Sequence, residues 1–290
     1  MSERNKGAAF ILLAAILWST GGAIIKATSL NAFQTSLWRS LFATLALLLV
    51  ARPKTILLDS ATLVASLAYA ATLVFFALGT KLTTAANAIL LQYAAPIYIL
   101  PLSHWILGER ITRVGAITVA LCLLGMTIFF LDKLSPEGYA GNVAALLSGI
   151  CFALMTVYLR KNKEGDPLSS ILLGNVCVVL TCGAMSLLQF ASFEAFALSP
   201  SDALRTGFLG VFQIAIPYAL FVHGIKRVPA LEASLLSMLE PILNPMWAAL
   251  LVGETPSINA MMGGAVIVGA VAFYNVASSR QARLKQKSLD

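Results

Sequence analysis

Charged residues are scarce in this 290-residue chain. Asp, Glu, Lys and Arg together occupy 11% of its positions, against about 25% in ordinary soluble domains. Hydrophobic residues occupy 59%, so the chain has too little polar surface to cover a globule in water. The composition therefore predicts a membrane protein whose solvent is the lipid bilayer.

Metal-binding and catalytic patterns are also missing. The four cysteines, Cys122, Cys151, Cys177 and Cys182, lie in apolar stretches with no CxxC or Cys/His spacing. We expect buried thiols, no metal site and no cofactor. An intramembrane enzyme would need a catalytic constellation such as HExxH or paired intramembrane Asp residues, and the sequence contains neither. We therefore expect a protein that is not an enzyme.

Long hydrophobic stretches, by contrast, run through the whole chain. Ten of them have the length of about 20 residues that spans a bilayer as a helix. They lie at roughly 7–27, 32–51, 59–79, 83–107, 111–131, 138–159, 167–190, 203–223, 229–252 and 257–278. The junctions between them are short and leave no room for a soluble domain. This pattern predicts an all-α membrane protein with ten transmembrane helices.

One segment of the chain recurs. Residues 85–109, AANAILLQYAAPIYILPLSHWILGE, return at 230–254 as ALEASLLSMLEPILNPMWAALLVGE, 145 positions later and without an insertion. Pro96 and Pro241 form one of the pairs of identical residues at equivalent positions. Internal repeats in a hydrophobic chain are typical of secondary transporters. The predicted units are a first five-helix repeat at 1–133, a second at 134–280 and a basic tail at 281–290.

Basic residues are divided unevenly between the junctions. About fifteen Lys and Arg residues lie in one alternate set of segments and four in the other, and basic residues are retained on the cytoplasmic side. We expect both termini in the cytoplasm of a bacterial-type inner membrane, with the net charge of +7 serving orientation and not nucleic-acid binding. Because five helices per repeat is an odd number, the two repeats must insert in opposite directions. This inverted architecture is the one that alternating access uses.

Prolines within the hydrophobic stretches point to a cavity. Each disturbs the hydrogen bond to the carbonyl four residues earlier. The carbonyls concerned belong to Gln92 for Pro96, Gln213 for Pro217 and Ser237 for Pro241. Irregular backbone at membrane depth is tolerated only where it is buried in protein or lines a water-filled cavity. We expect these prolines to be kink or gating points, the alternative being that they only bend packed helices.

The candidate substrate-binding residues are the polar and aromatic side chains of the same helices and their neighbours, since polar groups in a membrane are costly unless they face the interior. They are Trp18, Tyr69, Asn87, Gln92, Tyr93, Gln213, Tyr218, Ser237, Glu240 and Asn244. Tyr69, Thr72 and Phe76 share one helical face. Aromatic residues in membrane helices also serve as packing or interface anchors, so this face has two possible roles.

Two charged residues lie within predicted membrane helices. Glu240 has three possible roles: a proton-coupling carboxylate, a contact for a substrate amino group, or a structural carboxyl bonded to backbone near Pro241. Arg39 is expected to be a structural partner of a carbonyl or carboxylate more than a substrate-binding group. No cluster of Lys or Arg lies at the centre of the bundle, so a phosphorylated substrate would lack compensating charge.

The repeated segments also resemble a known family. PIYILPLSHWILGERITRVGAITVALCLLGM and EPILNPMWAALLVGETPSINAMMGGAVIVGA are similar to the proline-to-Gly-Glu signature and following glycine-rich helix of EamA-type members of the drug/metabolite transporter superfamily. WRSLFATLALLL in the second helix supports the match, which covers nearly the whole chain. The resemblance implies a ten-helix carrier that exports amino acids, metabolites or drugs. Within the superfamily the chain is most similar to the aromatic amino acid exporter group of the YddG type.

The function expected from these observations is export of amino acids, aromatic and other, by alternating access. The alternative is export of drugs or other small metabolites on the same fold. The expected partners are a small amino acid substrate and the lipid bilayer. Small-residue pairs predict close packing of helices five and ten, in a monomer or a homodimer. The pairs are Ala116/Ala120 in helix five and Ala260/Gly264 with Ala265/Gly269 in helix ten.

Overall fold

The computed structural model describes residues 2–51, 58–131, 138–190, 192–243 and 257–287. Within these ranges the regular structure is helical throughout, with no β-strand. The candidate residue Asn244 lies outside the described residues, as does the second Gly-Glu signature at Gly253 and Glu254.

The described helices follow one another closely along the chain. In order they are α1 (Glu3–Trp18), α2 (Gly21–Ala27), α3 (Ala32–Ala46), α4 (Ser60–Leu82), α5 (Ala85–Gln92), α6 (Ala95–Leu107), α7 (Arg113–Phe130), α8 (Tyr139–Lys161), α9 (Pro167–Phe190), α10 (Pro200–Phe208), α11 (Ile216–Ile225), α12 (Ala230–Ser237) and α13 (Ile258–Lys287). A π-helical segment, Leu47–Ala51, continues α3, and another, Leu209–Ala215, joins α10 to α11. Phe193–Phe196 forms a 3-10 turn, and residues 239–243 are helical.

Eight helical stretches in the described residues are long and apolar enough to cross a membrane. The expected first span is divided, because α1 ends at Trp18 and α2 begins at Gly21. The expected ninth span continues beyond residue 243 into the part of the chain that is not described. The all-helical membrane architecture is therefore confirmed, whereas the ten-helix count and the inverted repeat stay predictions.

The two copies of the repeated segment are broken at the same place. Both bounds of α5 and α12 differ by the 145 positions of the sequence repeat. The backbone leaves the helix at Tyr93, with ψ of 7°, and at Met238, with ψ of −4°. Pro96 and Pro241 then lie in the first turn of the next helical segment, where a missing backbone N–H costs little. The break therefore precedes each proline.

α7 and α13 pack closely against each other through glycine. A methyl group added at Gly125 would lie 3.0 Å from the carbonyl oxygen of Gly263, so neither helix tolerates a side chain at this crossing. Ala116, Ala120 and Gly269 from the expected small-residue pairs are exposed. The expected pair Ala260/Gly264, in contrast, is buried, and Phe129 of α7 lies 3.7 Å from a methyl group added at Gly264. Only part of the expected small-residue set therefore lies at the contact between the two helices.

One end of the bundle is held together by charged side chains. Arg4 at the start of α1 forms an ion pair of 2.9 Å with Glu232 in the first turn of α12. Arg160 at the end of α8 lies 3.6 Å from Glu109, which follows α6, and donates a 2.9 Å hydrogen bond to the Ile225 carbonyl. These contacts join segments that the charge distribution assigns to a single side. That this side is the cytoplasmic one stays a prediction.

The other end is held by hydrogen bonds between helix termini. Lys81 donates to the carbonyl oxygen of Thr28 at 2.9 Å. The Ser29 hydroxyl donates to the carboxylate of Asp202 at 2.6 Å, and Ser199 caps α10 by accepting a hydrogen bond from the Asp202 amide. Side-chain contacts therefore hold the bundle at both ends, and the space between them contains the candidate site.

Candidate functional site

A cavity lies within the bundle between α1, α3, α4, α5, α8 and the α10–α11 segment. Its volume, taken as the space open to the centre of a water molecule, is about 30 Å³, so its own side chains nearly fill it. Its lining residues come from both halves of the chain. They are Trp18, Arg39, Thr72, Leu73, Phe76, Gln92, Tyr93, Phe152, Gln213, Tyr218 and Glu240.

Aromatic rings form a continuous part of this lining. Trp18 meets Tyr218 edge-on with ring centroids 5.0 Å apart, and meets Phe152 edge-on at 6.3 Å. Tyr69 packs behind this layer, with its ring 4.7 Å from that of Tyr218. Edge-to-face pairs at these distances are favourable arrangements. The rings therefore support one another and offer an apolar wall to a ligand.

Polar groups of the cavity come from the broken part of the fold. Gln92, the last residue of α5, donates from Nε2 to the Ser148 hydroxyl at 3.0 Å. Ser148 in turn donates to the Thr72 carbonyl at 3.0 Å. Tyr93, the next residue, donates its hydroxyl to the carboxylate of Glu240. The break at Tyr93 thus turns two consecutive side chains toward different partners.

The break itself is packed against a glycine of α8. A methyl group added at Gly149 would lie 2.7 Å from the carbonyl oxygen of Gln92 and 3.1 Å from that of Leu91. The Gln92 carbonyl is the one that Pro96 was expected to free. In the structure this carbonyl faces the backbone of α8, and the Gln92 side chain lines the cavity.

Arg39 places a cation on the cavity wall. Its guanidinium is fully buried, and Nη2 donates to the Leu73 carbonyl at 2.6 Å. Bonding to a carbonyl agrees with the structural role expected from the sequence. Nε and Nη1 have no hydrogen-bond partner among the described residues. The bond to Leu73 therefore uses only part of the hydrogen-bonding capacity of the guanidinium.

Six of the candidate residues predicted from the sequence line this cavity together. They are Trp18, Gln92, Tyr93, Gln213, Tyr218 and Glu240. Pro217 lies at the start of α11, beside Tyr218. The structure thus gathers side chains from four sequence regions that are far apart in the chain.

The remaining candidates are placed elsewhere. Tyr69 lies behind the lining, where its hydroxyl accepts a 2.8 Å hydrogen bond from Asn175. Asn87 donates to Thr83 and to Asn142, each at 3.2 Å, near the start of α5. Ser237 is fully buried and donates to the carbonyl four residues earlier at 2.9 Å. These bonds satisfy the three side chains within the protein.

Two lining residues carry little signal in the sequence. Phe152 lies in the apolar helix α8, where one aromatic residue among many hydrophobic ones does not stand out. Leu73 contributes its carbonyl to Arg39, and a backbone contact of this kind has no sequence signature. Thr72 and Phe76, which share a face with Tyr69, could have been selected by extending that face to the whole cavity.

Comparisons with known proteins agree with the resemblance seen in the sequence. The model of the EamA-like transporter family matches residues 5–131 and again residues 139–276. An "Uncharacterized transporter" of Archaeoglobus fulgidus is 28% identical over 91% of this chain and 94% of its own. The "Uncharacterized inner membrane transporter YicL" of Salmonella typhimurium is 25% identical over 98% of this chain and 99% of its own.

A solved crystal structure shares the fold. It superposes with a TM-score of 0.78 at 20% sequence identity, covering 94% of this chain and 98% of that one. At this identity the similarity concerns the fold alone. The arrangement of helices around the cavity is therefore found in another protein as well.

Proposed function

The chain belongs to the EamA-like transporter family, and from this premise we propose that it exports amino acids across the inner membrane by alternating access. The membrane transporter follows from the family and from relatives named as transporters. The amino acid substrate rests on the central cavity. One observation carries it: a single cavity combines an aromatic wall with neutral polar groups, one carboxylate and one guanidinium.

Each part of the cavity suits one part of an amino acid. The rings of Trp18 and Tyr218 fit an apolar or aromatic side chain. Gln92 and Gln213 offer amide groups for the polar ends. Glu240 offers a carboxylate for the amino group, the substrate-contact role among its three possible roles. A site that recognises the common backbone and packs loosely on the side chain would accept many amino acids.

The repeated helix break supports alternating access. In transporters of inverted repeats, discontinuous helices lie beside the substrate, and each repeat rocks against the other. Here the breaks at Tyr93 and Met238 recur at equivalent positions of the repeated segment. The family model also matches the chain twice. We propose that ten transmembrane helices form two inverted five-helix repeats, with both termini in the cytoplasm.

The second candidate function is export of drugs or other small metabolites. The aromatic wall around Trp18, together with a carboxylate, would also fit a flat organic cation. The two functions differ in whether the substrate must carry both charges of an amino acid. A panel of substrates therefore separates them directly.

The experiment is transport by the purified protein in proteoliposomes. Labelled aromatic, aliphatic and small amino acids are compared with labelled cationic drugs, with and without an imposed proton gradient. We expect saturable transport of several amino acids that is absent from protein-free vesicles. Transport of the cations with no amino acid transported would contradict the proposal and favour the drug exporter. The proton-gradient arm shows whether the movement is coupled or facilitative.

A further inference from the structure

Arg39 has more hydrogen-bonding capacity than the protein uses. It lies in α3 with none of its surface exposed. The 2.6 Å bond from Nη2 to the Leu73 carbonyl fixes one edge of the guanidinium. Nε and Nη1 have no partner in the part of the chain that the structure describes. Burying a cation with unpaired N–H groups is costly, so a fold that retains such a group at a cavity wall has a use for it.

No acidic side chain neutralises this cation within the described residues. The ion pairs recorded there all lie near the ends of the bundle or in the connecting segments, and Arg39 takes part in none. Glu240 lines the same cavity, but its described hydrogen bond is to Tyr93. The cavity wall therefore carries one basic and one acidic group that are not paired with each other.

We infer that Arg39 is the carboxylate-binding residue of this cavity, and that the substrate class is the zwitterionic α-amino acid with a free carboxylate. The inference rests on the proposed transport of amino acids and deepens it. Nη1 donates to the substrate carboxylate, while Glu240 accepts from the substrate ammonium group.

The geometry of the arginine suits this role. A guanidinium forms strong charge-assisted hydrogen bonds with a carboxylate, and Nη1 has both of its N–H groups to offer. The bond to Leu73 holds the guanidinium in place, so a bound carboxylate does not have to order a free side chain. The aromatic wall at Trp18 and Tyr218 then receives the substrate side chain. A neutral amide or an amine without a carboxylate leaves Nη1 without an anionic partner.

The first test uses the unmodified protein and does not depend on any variant folding. In proteoliposomes, uptake of labelled phenylalanine is competed with unlabelled phenylalanine, with phenylalaninamide and with phenethylamine. The last two keep the amino group and the ring but lack the carboxylate. Because a charge-assisted hydrogen bond contributes appreciably to binding, we expect each to compete at least about tenfold more weakly than phenylalanine.

The second test uses variants with a matched control. Arg39→Gln should reduce the preference for phenylalanine over phenylalaninamide to within about threefold, and Arg39→Lys should retain part of it because a single charge remains. Arg160→Gln is the control, since Arg160 also donates to backbone carbonyls but lies away from the cavity. This variant should change the affinity for all three compounds by the same factor and so leave the preference for phenylalanine unchanged.

The outcomes separate this inference from the function on which it rests. Transport of amino acids together with equal competition by all three compounds would overturn the role of Arg39 and leave the proposed function intact. So would an Arg39→Gln protein that keeps the full preference for the carboxylate. An unmodified protein that transports no amino acid would contradict both.

Discussion

The hydroxyl of Tyr93 donates a hydrogen bond to the carboxylate of Glu240, and this bond joins the two copies of the repeated segment. Tyr93 is the residue at which the first copy leaves the helix, and Glu240 lies two residues beyond the equivalent break at Met238. The contact thus crosses the cavity from one half of the chain to the other. A bond of this kind connects substrate binding to the relative positions of the halves.

This bond predicts strong coupling between the two side chains. Tyr93→Phe and Glu240→Gln should each lower the free energy of unfolding. The loss in the double variant should be smaller than the sum of the two single losses, and we expect this difference to be about 1–3 kcal/mol. Thermal unfolding of the four proteins in detergent gives this coupling energy. Strictly additive losses would show that the bond contributes nothing to stability.

Glu240→Gln also tests the role of the carboxylate in transport. If Glu240 binds the substrate ammonium, the folded variant should lose about tenfold or more in affinity for every amino acid, with the remaining flux still responding to a proton gradient as before. Flux measurements with and without the gradient check this. Normal flux with lost proton dependence would instead assign proton coupling to Glu240.

An ion pair with a buried carboxylate should contribute more to stability than one with an exposed carboxylate. Glu232 is 1% exposed, and Arg4→Ala would leave its carboxylate without the ion pair, at a cost of about 3 kcal/mol. The control is Arg227→Ala at the same end of the bundle, where the partner Glu3 is exposed and the loss should be under about 1 kcal/mol. Unfolding in detergent compares the two, and equal losses would contradict the structure.

The close approach of α8 to the helix break predicts a sensitive glycine. Gly149→Ala would place a methyl group 2.7 Å from the Gln92 carbonyl oxygen, so we expect a loss of about 1–3 kcal/mol from strain and weaker transport. Gly269→Ala is the matched control, since nothing lies within 4 Å of an added methyl group there. It should be neutral or slightly stabilising. Equal effects of the two changes would argue against the packing at Gly149.

The carboxyl group of Asp59, at the start of α4, should make the stability of the protein depend on pH. Its carboxylate accepts a 2.7 Å hydrogen bond from the Thr62 amide, and this bond lowers the pKa of the carboxyl. Because the folded state favours the ionised form, the contribution to stability is present above the ordinary pKa and is lost as the pH falls through the lowered value. Asp59→Asn should cap the helix without this acid dependence, while Asp59→Ala should lose about 1 kcal/mol at neutral pH. Unfolding scans between acidic and neutral pH distinguish the three proteins.

The proposed topology is tested with an impermeant thiol reagent on a cysteine-free background. Glu164→Cys lies at an exposed position in the link between α8 and α9, and Ser201→Cys at an exposed position near the start of α10. We expect the first to react only after lysis of cells and the second in intact cells, since the basic residues around position 164 favour the cytoplasm. The reverse pattern would overturn the orientation. Reaction of both in intact cells would contradict the alternation of spans.

The sequence by itself determined the solvent, the helical class and the family of this protein. A shortage of charge and a series of apolar stretches of bilayer length leave lipid and helices as the solution. The repeated proline-to-Gly-Glu segments carried the family resemblance, which the match to residues 5–131 and 139–276 confirmed. Six of the ten candidate residues were also found at one cavity, because polar side chains inside a membrane have few other places to lie.

The tertiary structure alone decided which way each helix is turned. In lipid the outer face of a helix is as apolar as the face that packs inside, so the sequence gives little indication of rotation about the helix axis. For that reason Asn87 and Ser237 could not be separated from Gln92 by their polarity, although only Gln92 of the three lines the cavity. For the same reason the sequence could not show that Arg39 reaches the cavity with two donors left over. That placement depends on how α3 packs against α4, which only contacts between distant parts of the chain can fix.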